Sequence, residues 1–182
     1  MRVRAGFHVV DRVLTQQAAS RIPKPVGRVL SAVEEAAESS KLWWGAAAVM
    51  AAAGGWRGRM AAVAGVSAVT VAQLVSNGLC KQLADRPRPP KEWIPHDEVH
   101  DRPDSSSFPS GHTAAAVAFT AAVAPTWPAA GAVCALPAAT VALERVQSGA
   151  HYPSDVAAGA VIGAASAWLV RRAPYLLLRR TT

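Results

Sequence analysis

Pro109-Ser110-Gly111-His112 stands where a polar, proline-rich loop gives way to the apolar, alanine-rich run Thr113 to Val123. Serine is a preferred N-cap, and a glycine beside it lets a bulky group approach the backbone closely. The run therefore reads as a helix whose unpaired N–H groups and positive dipole end lie at this turn. Such an end suits phosphate or another oxyanion. His112, in the first turn, faces the same anion and has a proton to give. Taken alone, the four residues also describe an ordinary capped helix that happens to carry a histidine. What flanks them decides between the two.

Beyond this helix the pattern is helical almost throughout. Apolar segments run roughly over 42–56, 60–80, 112–126, 128–143 and 156–170. They predict an all-α bundle, embedded in a membrane, with about five apolar spans. Fifteen residues make a helix of only ~22 Å, against a hydrocarbon core of ~30 Å. The helices must therefore extend past their apolar runs, or the bilayer must thin around them. The Ala, Gly and Ser content suits close helix packing in a membrane, and a compact soluble bundle equally well. Tryptophans favour the membrane. Trp43 and Trp44 open the first segment, Trp56 ends it, Trp127 lies between the third and fourth, and Trp168 is near the end of the fifth. Arg57 and Arg59 follow Trp56, and Arg171, Arg172, Arg179 and Arg180 follow Trp168. That is the layout of an aromatic belt with cationic flanks.

The first forty residues differ. Residues 7–20 and 26–40 read as two amphipathic helices split by Arg21-Ile22-Pro23-Lys24-Pro25, neither apolar enough to span a bilayer. The chain thus divides into amphipathic helices over 1–40 and a helical core over 41–182, in a length that suits one domain. No signal peptide is expected, because Met1 to Asp11 is charged and lacks a continuous apolar stretch. A formal charge of +7 invites a nucleic-acid reading. The cations are scattered or sit at ends of apolar segments, with no basic face interleaved with aromatics, so no nucleic-acid partner is expected. An anionic lipid or a phosphate pocket accounts for them better. Cys80 and Cys134 lie far apart in apolar segments and read as buried thiols. Nothing in the sequence bears on oligomeric state.

Alternation of five spans places residues near 81, 111 and 150 at one membrane face. Three clusters converge there: Lys81 to Pro89, with Lys81, Arg86 and Arg88; the Pro-Ser-Gly-His turn; and Arg145 to Asp155, with Arg145, His151 and Asp155. Guanidinium forks and an ammonium fit the spread charge of a phosphoryl group. An imidazole nucleophile needs its other nitrogen held by an acceptor, and a carboxylate four residues on can reach it across one turn. Pro153 is placed to open the last helix. In the intervening loop, His96-Asp97-Glu98-Val99-His100-Asp101 has the residue types of a metal site. A solvated lid over the pocket is the preferred reading, and no metal is expected.

Lys81-x6-Arg88-Pro89, Pro109-Ser110-Gly111-His112 and Arg145-x5-His151-x3-Asp155, in that order, resemble the three-part signature of the type-2 phosphatidic acid phosphatase superfamily. That family holds membrane lipid phosphatases, soluble acid phosphatases and vanadium haloperoxidases. The resemblance implies a metal-independent phosphatase acting on a lipid phosphate or diphosphate, of polyprenyl or glycerolipid type, with no cofactor. It implies that His151 attacks phosphorus and becomes a phosphohistidine, oriented by Asp155, while His112 protonates the leaving oxygen and later activates water. Lys81, Arg88, Ser110, Gly111 and Arg145 would hold the phosphoryl oxygens. It leaves Arg86 without a role. One departure is visible: Glu144 stands where the family usually has Ser, and it is expected to point away from the phosphate. A soluble-type acid phosphatase, a haloperoxidase and a non-catalytic membrane scaffold are the alternatives. The resemblance to bacterial members favours a cell-membrane protein with its pocket on the outer face.

Overall fold

The computed structural model describes residues 2–94 and 104–178. Among them there is no strand. The two amphipathic segments form α1 (Arg2–Arg21) and α2 (Lys24–Ala37), the second with proline at its start, where the missing N–H costs nothing. A short 3-10 turn leads to α3 (Lys41–Ala53). Next comes α4 (Gly55–Gln73), which runs on through a π-helical stretch, Leu74–Cys80, into a last turn, α5 (Lys81–Leu83). The three remaining helices are α6 (Gly111–Val123), α7 (Pro128–Gln147) and α8 (Pro153–Leu178). The His96–Asp101 run lies outside the described residues.

α6 is the central helix, flanked by α4, α7 and α8, with α3 outside α4 and α2 against α7. Ala114, Ala115, Ala116, Ala118, Ala122 and Phe119 of this helix are buried. Small residues set how closely its neighbours approach. A Cβ on Gly159 of α8 would collide with the Ser110 carbonyl oxygen, and one on Gly163 would stand 2.5 Å from the Ala114 carbonyl oxygen. This Gly-x-x-x-Gly pair seats α8 directly on the start of α6.

Three helical stretches are long and apolar enough to cross a membrane: Gly55–Leu83, Pro128–Gln147 and Pro153–Ala173. α3 and α6, with 13 residues each, reach only ~20 Å, so they complete about five spans only where the bilayer thins around them. The long helices turn apolar side chains outward. Val63, Val133, Leu136 and Val161 are each more than 60% exposed, as lipid-facing residues are (63%, 68%, 71% and 68%). The aromatic belt needs one correction. Trp43 is 2% exposed and packs on Phe119 with ring centroids 5.4 Å apart. It belongs to the core, because α3 lies against α4 and turns this face inward. Trp44, Trp56 and Trp168 remain exposed.

The two ends of the bundle are distinct. At one, Arg57 donates to the Thr126 carbonyl (2.8 Å) and Arg171 to the Ala122 carbonyl (3.2 Å). The three motif clusters gather at the other.

Candidate active site

The start of α8 organises this end. Pro153 is its first residue, Tyr152 precedes it, and the Tyr152 N–H donates to Asp155 Oδ2 (2.9 Å). This is the carboxylate half of a capping box, a third-position side chain reaching back to the N-cap amide. Asp155 is fully buried, and its other oxygen accepts from Arg86 Nη1 at 2.5 Å. Arg86 also donates to Ser154 Oγ (2.8 Å) and to Asp11 Oδ2 (2.7 Å), and it lies 4.2 Å over the Tyr152 ring. Asp11, on α1, accepts in turn from the Ser154 amide (3.0 Å) and hydroxyl (2.6 Å). One guanidinium thus joins two buried carboxylates from opposite ends of the sequence. Burial works to raise the Asp11 pKa, but Ser154 and Arg86 outweigh it and hold the carboxyl below its usual range. Burial likewise opposes the charge on Arg86, and Asp11 and Asp155 overcome it, raising its pKa. Arg86, left without a role by the motifs, is the keystone here, and Asp11 was not among the residues the sequence singled out. No spacing rule connects residue 11 to residue 86. The one available signal was an acid set among apolar residues in an otherwise basic helix.

His151 is 3% exposed. Its Nδ1 lies 2.5 Å from the Ser107 carbonyl oxygen, while Asp155 Oδ2 is 4.0 Å away. The expected carboxylate clamp is therefore a backbone carbonyl, because the Asp155 oxygens are taken by Arg86 and the Tyr152 amide. A carbonyl only accepts, so Nδ1 carries the proton and Nε2 keeps its lone pair. Burial first, and the Arg88 charge second, push the His151 pKa well below its ordinary value. At neutral pH the ring is uncharged.

Arg88 donates to the Ala150 carbonyl (2.7 Å) and approaches Ser105 Oγ (3.4 Å), and Lys81 Nζ lies 3.5 Å from the same hydroxyl. Lys81 follows directly on the π-helical stretch, a helix defect often found beside functional sites. Arg145 bonds Glu144 through Nε and Nη2 (2.6 Å each) and Glu34 of α2 through Nη2 (2.8 Å). Glu144 does not point away. It is 4% exposed, and a carboxylate so buried needs the adjacent guanidinium as partner. Lys81, Arg88 and Arg145 all lie near enough to act electrostatically on both His112 and His151.

Ser110 caps α6 as its type demands: its hydroxyl accepts from the Thr113 amide (3.4 Å) and pairs with Thr113 Oγ1 (2.9 Å). Its own amide donates to the Asp155 carbonyl (3.0 Å) and ties α6 to α8. At Gly111 the group that comes close is Asn77, whose Oδ1 would stand 2.5 Å from an added Cβ. His112 follows, a third exposed, with Nε2 3.6 Å from Glu34 Oε1. Burial raises the Glu34 carboxyl above its usual range, and Arg145 pulls it back in part. Glu34 falls within the amphipathic segment 26–40, and nothing in its sequence spacing ties it to the motifs. Among the described residues no group of three or more His, Cys, Asp or Glu is placed to hold a metal.

The PAP2 superfamily model matches residues 61–179, which include all three clusters. The chain belongs to the PAP2 superfamily. This is the family that the three motifs resemble. A lipid A 1-phosphatase from Rhizobium johnstonii (strain DSM 114642 / LMG 32736 / 3841) is 48% identical over 61 residues, 32% of this chain. That match spans about a quarter of the relative's length (24%). Two crystal structures share the PAP2 fold. One is a transmembrane PAP2-type phosphatidylglycerolphosphate phosphatase from Bacillus subtilis, with a TM-score of 0.67 and 20% identity over 90% of this chain and 84% of that one. The other is LpxE from Aquifex aeolicus, with a TM-score of 0.70 and 20% identity over 87% of this chain and 93% of that one.

Proposed function

We propose that this PAP2 protein is a membrane phosphatase that hydrolyses a lipid phosphate through a phosphohistidine, without a metal. The observation that carries the proposal is the meeting of Lys81, Arg88 and Arg145 around both His112 and His151 at the N-terminus of α6. Three fixed cations and a helix start stabilise an equatorial phosphoryl group whose charge grows in the transition state. His151 Nε2, with its lone pair free of the Ser107 bond, attacks phosphorus. The N–P bond forms, the P–O bond to the leaving group breaks, and the electron pair goes to the leaving oxygen, which takes a proton from the His112 imidazolium, a charge that the bound phosphate dianion stabilises. Water then attacks phosphorus, gives a proton to His112, and displaces His151. Burial raises the Asp155 pKa, and the Tyr152 amide and Arg86 oppose that rise; held in place by them, Asp155, 4.0 Å from Nδ1, supports the positive charge on the ring during the intermediate.

A lipid substrate is favoured by an apolar cleft of about 500 Å³ between α6, α7 and α8. Thr113 and Pro153 line its end nearest the site, and alanines such as Ala121, Ala138 and Ala160 line the rest. An acyl or prenyl chain fits such a cleft, with its phosphate at the histidines. The pocket lies on the outer face of the cell membrane.

The test is phosphate release from a lipid phosphate by the purified chain in detergent. Activity should survive EDTA, fall with vanadate, which imitates five-coordinate phosphorus, and vanish in His151→Ala. Loss of activity in EDTA that a divalent ion restores would overturn the metal-free mechanism.

A further inference from the structure

α2 does more than cover the bundle. It lies so close to α7 that a Cβ on Gly27 would stand 2.9 Å from Gln147 Nε2. From this position it sends Glu34 into the anion site. A single oxygen, Glu34 Oε1, lies 2.8 Å from Arg145 Nη2 and 3.6 Å from His112 Nε2. Arg145 is already paired with Glu144. The site is therefore electrically lopsided. Lys81 and Arg88 reach Ser105 and the Ala150 carbonyl, beside the nucleophile. On the His112 side, two carboxylates share one guanidinium.

In an in-line displacement the nucleophile and the leaving group lie on opposite sides of phosphorus. If His151 attacks and His112 protonates, as proposed above, the leaving oxygen emerges beside His112 Nε2 and hence beside Glu34. An alcohol leaves as a neutral molecule once His112 has given it a proton, and its other hydroxyls can donate to the Glu34 carboxylate. A diphosphate ester instead expels a phosphate anion, which meets a like charge at this point. Juxtaposed like charges are a standard device for rejecting the wrong partner.

We propose that Glu34 is a specificity-determining residue, which makes this site select phosphomonoesters of uncharged alcohols against diphosphates. The inference rests on the assignment of His112 as the acid.

The full chain, purified in detergent, should be assayed for kcat/KM with farnesyl monophosphate and farnesyl diphosphate, which share one tail. The wild type should prefer the monophosphate at least about tenfold. Glu34→Gln should reduce that ratio by about fivefold or more. Glu35→Gln, the same charge change on the neighbouring exposed residue, should leave the ratio unchanged. A wild type that prefers the diphosphate, or a ratio untouched by Glu34→Gln, overturns the proposal. So does an equal loss on both substrates, which a purely structural role would give. Binding separates this inference from the phosphatase assignment. Protection against thermal unfolding should favour orthophosphate over inorganic diphosphate in the wild type, and Glu34→Gln should shift it toward diphosphate. If neither ester is hydrolysed but this shift is seen, the phosphatase assignment fails and the charge selection stands. If the shift is absent, the selection fails.

Discussion

His151 shows how one buried ring records its surroundings in a measurable pH dependence. Its pKa in the folded chain is depressed, chiefly by burial, while in the unfolded chain it is ~6.5. Above that value neither state holds the proton, and the residue contributes nothing to pH dependence. As pH falls through ~6.5 the unfolded chain takes up a proton that the native ring refuses, so stability is lost from there down to the depressed native value. The loss approaches ~1.4 kcal/mol per pH unit, or ~2 kcal/mol by pH 5 if the native ring stays neutral. His151→Gln keeps a donor for the Ser107 carbonyl and removes the titration. Its melting temperature in detergent should therefore fall less between pH 7 and pH 5 than that of the wild type. Equal falls in both would mean that the native ring takes up the proton as readily as the unfolded chain.

Among the elements, α8 is the one whose placement fixes the site, and a single missing methyl group sets it. Gly159 faces the Ser110 carbonyl, and the Ser110 amide bonds the Asp155 carbonyl one turn earlier on α8 (3.0 Å). Gly159→Ala puts a Cβ against backbone that has no rotamer with which to yield, so α8 must lift from α6. Overpacking of this kind costs ~1–3 kcal/mol, and turnover should fall with stability because His151 and Asp155 move away from α6. Ala164→Gly, at an exposed position on the same helix, controls for helix propensity and should leave turnover near wild type. Unchanged turnover and melting in Gly159→Ala would show that the helices have room to spare. Helices, caps and the three motif clusters were legible in the sequence because each depends on local spacing: Ser110 before its helix, Pro153 at the next one, His151 four residues before Asp155. Contacts between distant elements were not. That Arg86 clasps Asp11 and Asp155, that a carbonyl holds His151, and that Glu34 reaches His112 all depend on how α1 and α2 dock. An amphipathic pattern says only that a helix has an inner face. Trp43 was misassigned for the same reason, since a tryptophan at a helix end suits a core and an interface alike.

For the whole molecule, charge near the span ends sets its direction in the membrane. Among the described residues every acid lies at the active-site end, but orientation follows Lys and Arg close to span ends rather than net charge. With Lys81, Arg88 and Arg145 set aside as ligands, that end holds ten Lys and Arg and the other holds six, which taken whole argues for a cytoplasmic pocket. Distance changes the result. Arg2, Arg4, Arg12 and Arg21 precede the first apolar segment by more than the ~18 residues over which such charges count. Lys24, Arg28, Lys41, Arg86, Lys91 and Arg102 remain. Arg86 is locked between Asp11 and Asp155, which leaves five cations against Arg57, Arg59, Arg171, Arg172, Arg179 and Arg180. The rule then tips the C-terminal end inward and the pocket outward. In a Cys80→Ser, Cys134→Ala background, Asp104→Cys at the active-site end should react with a membrane-impermeant maleimide in intact cells at least about tenfold more than Arg59→Cys. Permeabilising the cells should bring the two to similar levels. The opposite pattern in intact cells would put the pocket in the cytoplasm, and its substrate would then have to come from the inner leaflet.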